Sequence, residues 1–294
     1  MLFVRMKFLD RLLDTARKLK PFDCALYLTL VILIVERPHV QSVVLLSAVG
    51  VIARPLLYSW IYWSVLTLLF VIVSWQPWYA VPNHIYLQAY WCLAIAISLK
   101  FENKEELLAK SARWLVGLVF LYAFIWKLRT PEFIDGRFLE SSILTDFRLA
   151  PLASLLGIDV ETVFQNREIL NHYTRVGDLT GDVQLTTTEG IRSVSLILSW
   201  WTILIELAVA LVFLLPEKQL KLFWRHVCLL GFVFSTYLLA PVVGFGWALT
   251  AMGMSQIDRN EKSFWTALYV LGFILIFLGR NPGLDAVFLR LGLM

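Results

Sequence analysis

The chain has 294 residues, 59% of them hydrophobic and 16% charged, with a mean hydropathy of +0.71. That leaves too little polar surface to coat a soluble fold of this size. The formal charge of +4 is small, and its lysines and arginines fall in short loops rather than on a stripe interleaved with aromatics, which argues against nucleic acid as a partner.

The reading is an integral membrane protein, with the lipid bilayer as its first partner. The first twenty residues lack the continuous apolar core and small-residue cleavage site of a secretory signal. Instead Leu2, Met6, Leu9, Leu13 and Ala16 recur at helical spacing against a basic face, as in an amphipathic helix lying on an anionic cytoplasmic leaflet.

Apolar runs then follow at 22–35, 40–53, 56–75, 84–99, 112–127, 193–215, 222–240, 243–255 and 264–279. They predict an all-α polytopic membrane protein of about nine transmembrane helices forming a single domain over 1–294, although several runs are shorter than the roughly 20 residues that cross a bilayer unaided, runs 1, 2 and 8 most of all. A cytoplasmic N-terminus puts Arg5 to Lys20, Arg54, Lys100 to Arg113, Lys218 to Arg225, and Arg259 with Lys262 inside. The short opposite loops from Gln76 to Asn83 and from Ala240 to Gly244 carry no charge. That asymmetry follows the positive-inside rule and supports nine crossings with the C-terminus outside; the expected location is a membrane of the bacterial inner (cytoplasmic) type. Pairs such as Trp60 with Trp63, and Trp200 with Trp201, read as interfacial belts.

The stretch 128–192 is the one long segment expected not to cross. Ten acidic side chains stand there against six arginines, and apolar residues recur over 138–156 and 163–173, so it reads as an acidic, helical extracytoplasmic cap. Thr186 to Glu189 offer helix-capping chemistry before the next span.

Cys24, Cys92 and Cys228 have no paired spacing, and no two of the four histidines, His39, His84, His172 and His226, share a helical turn. Neither a disulfide framework nor a metal site is expected. No phosphate-binding glycine loop or nucleophile elbow is present. The ionisable groups that call for a role lie in or beside apolar runs. Lys127 closes a run that starts at Trp114, and Glu206 lies inside another, where it is expected to pair with a lysine or arginine across the bundle or to serve a proton path. His84 and Asn83 open a third.

Around these residues a family likeness emerges. Leu121 to Leu128 followed by Phe133, Ile134, Asp135 and Gly136 resembles the signature of the vitamin K-dependent gamma-carboxylase and its bacterial HTTM relatives, in which a helix ends in a lysine-leucine pair before an aromatic residue and a glycine. Asn83, His84, Ile85, Tyr86 and Leu87 resemble that family's asparagine-histidine-x-tyrosine-leucine element. The likeness covers roughly residues 20–255. It departs at Phe124, where the family has glycine, and near Val233, where a second histidine is expected.

The resemblance implies a reduced vitamin K-type quinone as cofactor, Lys127 as the base that deprotonates it, and His84 as a second catalytic residue beside the quinone. Tyr122, Trp126 and Gly136 are implied as cofactor-binding positions. It implies hydroquinone- and oxygen-dependent modification of an extracytoplasmic substrate by a lyase-type membrane enzyme. The competing expectation is a catalytically silent membrane subunit, an assembly or immunity-type partner that binds another protein.

Overall fold

The computed structural model describes residues 20–36, 40–75, 81–176, 184–216, 221–237, 243–258 and 262–279. The amphipathic segment up to residue 19, along with His39, Lys218 and Arg259, lies outside them. Among the described residues every regular element is helical.

All nine apolar runs form helices. They are α1 (Pro21–Glu36), α2 (Gln41–Ile52), a short α3 (Arg54–Leu57) leading into α4 (Trp60–Trp75), α5 (Asn83–Ser98), α6 (Lys104–Arg129), α11 (Glu189–Leu214), α12 (Leu222–Tyr237), α13 (Val243–Met254) and α14 (Lys262–Gly279). Among the described residues α6 and α11, at 26 residues each, are long and apolar enough to cross a membrane, and α2, α4 and α13 are shorter apolar helices.

The two long helices stop for the same reason. Thr130 and Leu215 each precede a proline, which disfavours the helical conformation in the residue before it, and both are extended, at ψ 101° and 144°. The carbonyls left open at the end of α11 are taken by arginines of its neighbours. Arg113 of α6 donates through Nε to Phe213 O at 2.8 Å and through Nη2 to Leu215 O at 2.5 Å, and Arg225 of α12 donates to Val212 O at 3.4 Å. Guanidinium groups at this end also complement the helix dipole.

Helices α6 and α11 form the most extensive pair, and α13 packs against α1, α5, α6, α12 and α14. A charged cavity of about 480 Å³ is lined by the starts of α1, α6 and α12 and by the turn after α13. Helices α1, α6 and α12 therefore run in one direction and α13 against them, and the short helices that follow the end of α6 lie at the other end.

The core is rich in tryptophan. Trp63, Trp91 and Trp247 are fully buried, and each indole N–H finds an acceptor: Leu57 O at 2.9 Å, Thr29 Oγ1 at 2.8 Å and Phe273 O at 3.1 Å. Buried indoles need such partners. Trp63 therefore belongs to the core rather than to the belt expected for it, while Trp60 stays exposed. Trp200 and Trp201 face outward.

Residues 128–176 fold as the short helices expected of a cap: α7 (Pro131–Ile134), α8 (Arg137–Thr145), a 3₁₀ turn (Phe147–Leu149), α9 (Ala150–Leu155) and α10 (Val160–Val176). They build a small core of Ile143, Leu144, Leu149, Ala153, Ile158 and Val163 that closes on Ile191 of α11. Asn166, buried in α10, locks the segment leading to α11 by donating to Thr186 O at 3.0 Å and accepting from Thr186 N at 2.9 Å. Thr188 then caps α11, its hydroxyl accepting from Ile191 N at 3.3 Å, as the Thr-rich run suggested.

Candidate functional site

Lys127 lies in the last turn of α6, on the side that faces α11. Its Nζ donates to both carboxylate oxygens of Glu206, at 2.7 and 2.8 Å. The side chains are 15% and 7% exposed, so the pair is largely withdrawn from solvent. The ring of Phe133, presented by α7 after the Pro131 corner, lies 5.1 Å from the same ammonium, within cation–π range. Tyr237 of α12 is close enough to interact electrostatically with the Glu206 carboxylate.

Thus α6, α7, α11 and α12 converge on one charge pair. The expectation that Glu206 pairs across the bundle is met, and its partner is Lys127 itself.

Gly136 has φ +82°, a left-handed conformation that only glycine adopts freely. A Cβ there would stand 2.9 Å from both Cα and N of Leu196. The glycine therefore lets the α7–α8 corner press onto the backbone of α11, which holds Phe133 over Lys127. Arg137 N donates to Asp135 Oδ1 at 3.1 Å and Arg137 Nε to Oδ2 at 2.6 Å. The backbone N–H of Arg137, with its guanidinium, holds the Asp135 carboxyl below the usual range.

Tyr122 and Trp126 sit elsewhere. They are 69% and 72% exposed and lie on the outer surface of α6, beside the lysine in sequence and away from the Lys127–Glu206 contact. Phe124, at the family's glycine position, is partly buried.

His84 belongs to a second cluster. Its Nε2 is 2.7 Å from Glu36 Oε1, at the end of α1, and Gln88, one turn further along α5, donates through Nε2 to the other carboxylate oxygen. Gln88 is 2% exposed, and its own Oε1 has no hydrogen-bond partner. The backbone of Gly244, in the first turn of α13, lies against this group. A Cβ there would overlap the Glu36 carboxylate and approach His84 Cδ2 to 2.7 Å. Seating a carboxylate at a helix N-terminus is favourable.

Glu36 was missed by sequence reasoning. The available signal was an acidic residue ending an apolar run at the end of the bundle where His84 begins one.

His226, two turns before Val233, is buried in the contact between α12 and α14. Its Nδ1 lies 2.9 Å from Tyr269 Oη, and its ring lies over Trp265 at 4.8 Å between centroids. Val233 is buried beside Gly272. Cys92 is buried and Cys24 and Cys228 are partly buried, all as free thiols. Among the described residues no group of three or more His, Cys, Asp and Glu side chains is placed to hold a metal.

Between α4 and α5 runs an apolar groove of about 570 Å³, walled by Phe70, Val71, Trp75, Tyr86, Tyr90 and Leu93. These α5 residues lie on the side of the helix opposite His84 and Gln88, given 100° per residue.

Comparison of the chain with known protein families, with curated proteins and with solved structures gives no match. The likeness to the carboxylase family therefore rests on the two short motifs.

Proposed function

We propose that this chain is a multi-pass membrane protein of about nine spans whose Lys127–Glu206 pair exchanges protons with a hydroquinone, in an oxygen-dependent reaction of the carboxylase type. The membrane reading draws support from the outward faces of the helices. On α4 the exposed side chains include Ile61, Val65, Leu68, Val71 and Ile72, and on α11 Ile197, Trp201, Leu204 and Leu211. Continuous apolar faces of this extent are stable against lipid rather than water.

The observation that carries the chemical reading is the Lys127–Glu206 contact. An ionisable pair inside apolar helices is costly to keep, and this one is bidentate, short and shielded. If the ammonium passes a proton to Glu206, the neutral amine that remains has the lone pair a base needs, and the carboxylic acid holds the proton beside it. Taking a hydroxyl proton from a bound quinol then restores the ammonium. The reduced quinone would supply that acidic hydroxyl and the electrons for oxygen. An apolar groove with no charged wall runs between α4 and α5, a lining of the kind that accepts a hydrophobic ring or tail, and none of Lys127, Glu206 and His84 belongs to it.

A second reading, the catalytically silent membrane subunit, draws on one observation. Both ionisable motif residues already have a partner, Lys127 in Glu206 and His84 in Glu36.

Purified protein supplied with a reduced vitamin K-type quinone and oxygen separates the two. Epoxide from the wild type and none from folded Lys127→Met supports the enzyme. No epoxide from folded wild type in native lipid leaves the silent subunit.

A further inference from the structure

The helix that carries Glu206 carries two more buried polar side chains on the same face. Ser195, Ser199 and Glu206 are spaced by four and seven residues, which places them within an arc of about 40°. All three belong to the buried side of α11. Both serines are 0% exposed, and neither hydroxyl has a hydrogen-bond partner in the protein.

Helical hydroxyls normally escape that condition by turning back to the carbonyl one turn earlier. Others in this chain do so: Thr202 donates to Leu198 O at 2.8 Å, Ser98 to Ala94 O at 2.7 Å, Thr67 to Trp63 O at 2.8 Å and Thr29 to Ala25 O at 2.7 Å. Thr202 shows that α11 itself permits it. Two adjacent turns of one buried face therefore present hydroxyls whose partner is not the protein backbone, and buried polar groups without partners are rare unless water meets them.

The position of these turns gives the pattern its meaning. Leu196 lies between the serines and touches Gly136, so both hydroxyls lie at the level of the α7–α8 corner. Further along the same face, Glu206 holds Lys127. At the other end of the stripe Arg192 is within electrostatic reach of the exposed Asp135.

We infer that Ser195 and Ser199 line a hydrated proton path along α11 that connects Glu206 with the solution on the cap side. Seven residues separate Ser199 from Glu206, about 10 Å of helix, a gap bridged by about three water molecules at ordinary hydrogen-bond spacing. A proton held by Glu206 leaves along this chain to the cap side and no electron moves. The inference rests on the proton-exchange reading of the Lys127–Glu206 pair.

Cysteine accessibility tests it without requiring turnover. In full-length protein with Cys24, Cys92 and Cys228 replaced by alanine, Ser195→Cys and Ser199→Cys are exposed to 2-aminoethyl methanethiosulfonate on both sides of a lipid bilayer, and labelling is followed by mass spectrometry. Ala210→Cys, buried on the same helix one turn beyond Glu206, is the dry control. Serine to cysteine keeps the size and a donor, and size-exclusion chromatography verifies folding.

The path requires both serine positions to react at least tenfold faster than position 210. Rates equal to the control overturn it. Labelling at the serines without epoxide formation keeps the path and discards the quinol chemistry. Epoxide formation with both cysteines inert discards the path and keeps the chemistry.

Discussion

Lys127 and Glu206 lie 79 positions apart in sequence, and Nζ of the one meets both carboxylate oxygens of the other, at 2.7 and 2.8 Å. The contact joins the two longest helices at the point where the cap begins. Every other feature of the site is arranged around it: Phe133 above the ammonium, Gly136 holding that corner down, and Tyr237 beside the carboxylate.

Removing one partner of a buried pair strands the other charge, at a cost of about 3–5 kcal/mol, whereas replacing both with apolar groups of similar volume is often neutral. Lys127→Met is therefore expected to lower the unfolding temperature in detergent far more than Lys127→Met combined with Glu206→Leu. If the double substitution is as damaging as the sum of the single ones, the two residues are not coupled as described.

Gly136→Ala should act on the same site from a distance. The left-handed conformation alone costs a side chain about 1–2 kcal/mol, and the added methyl meets the Leu196 backbone at 2.9 Å, which cannot rotate away. The corner must lift, carrying Phe133 with it. The expected result is a lower unfolding temperature together with faster proteolysis of the α6–α8 connection, and an unchanged proteolysis pattern would refute the pressing role given to Gly136.

The helices were legible in the sequence because hydrophobic runs are a local property, and each of the nine became a helix, most within about four residues of the expected limits; α6 begins at Lys104, well before the run at 112–127 that marked it, because its first turns are charged. The cap's short helices and the Thr188 cap were legible for the same reason. The partners were not. Hydropathy marks Glu206 as a buried acid but carries no information on which of several lysines and arginines faces it across α6 and α11. Glu36 was overlooked because it sits beside Arg37 and reads as the start of a loop. Trp63 was assigned to a belt because aromatic clustering does not say which member of a helical pair turns inward.

Acid should loosen the cap before the bundle. Partial burial pushes the Asp146 carboxyl up, but the side-chain and backbone donors of Arg148 outweigh it and leave it below the usual range. The backbone N–H of Thr162, with its hydroxyl, lowers Asp159. A carboxyl depressed in the folded state contributes stability above its unfolded value, and that contribution is lost as pH falls through the folded value. The window thus opens below about pH 4, the ordinary aspartate value. Pepsin cleavage within 137–176 should accelerate between about pH 4 and pH 2, and Asp146→Asn should blunt the acceleration while making the cap more labile at neutral pH. Cleavage that is equally fast across the range in both proteins would contradict this account.

The second cluster makes a prediction of the same form, with the backbone as one partner. Gly244 lies so close to the Glu36 carboxylate that a methyl group there occupies the carboxylate's space and crowds His84 Cδ2. Gly244→Ala must therefore displace Glu36, breaking its contacts with His84 Nε2 and Gln88 Nε2 and leaving Gln88 with neither amide atom satisfied. Glu36→Ala removes the obstacle in advance. In a double-mutant cycle the glycine substitution should cost markedly less in the Glu36→Ala background than alone, because interaction energies of about 0.5–3 kcal/mol are typical for residues in contact. Strict additivity would show that the α13 backbone does not rest on this carboxylate, and that α1, α5 and α13 are held together by their apolar contacts alone.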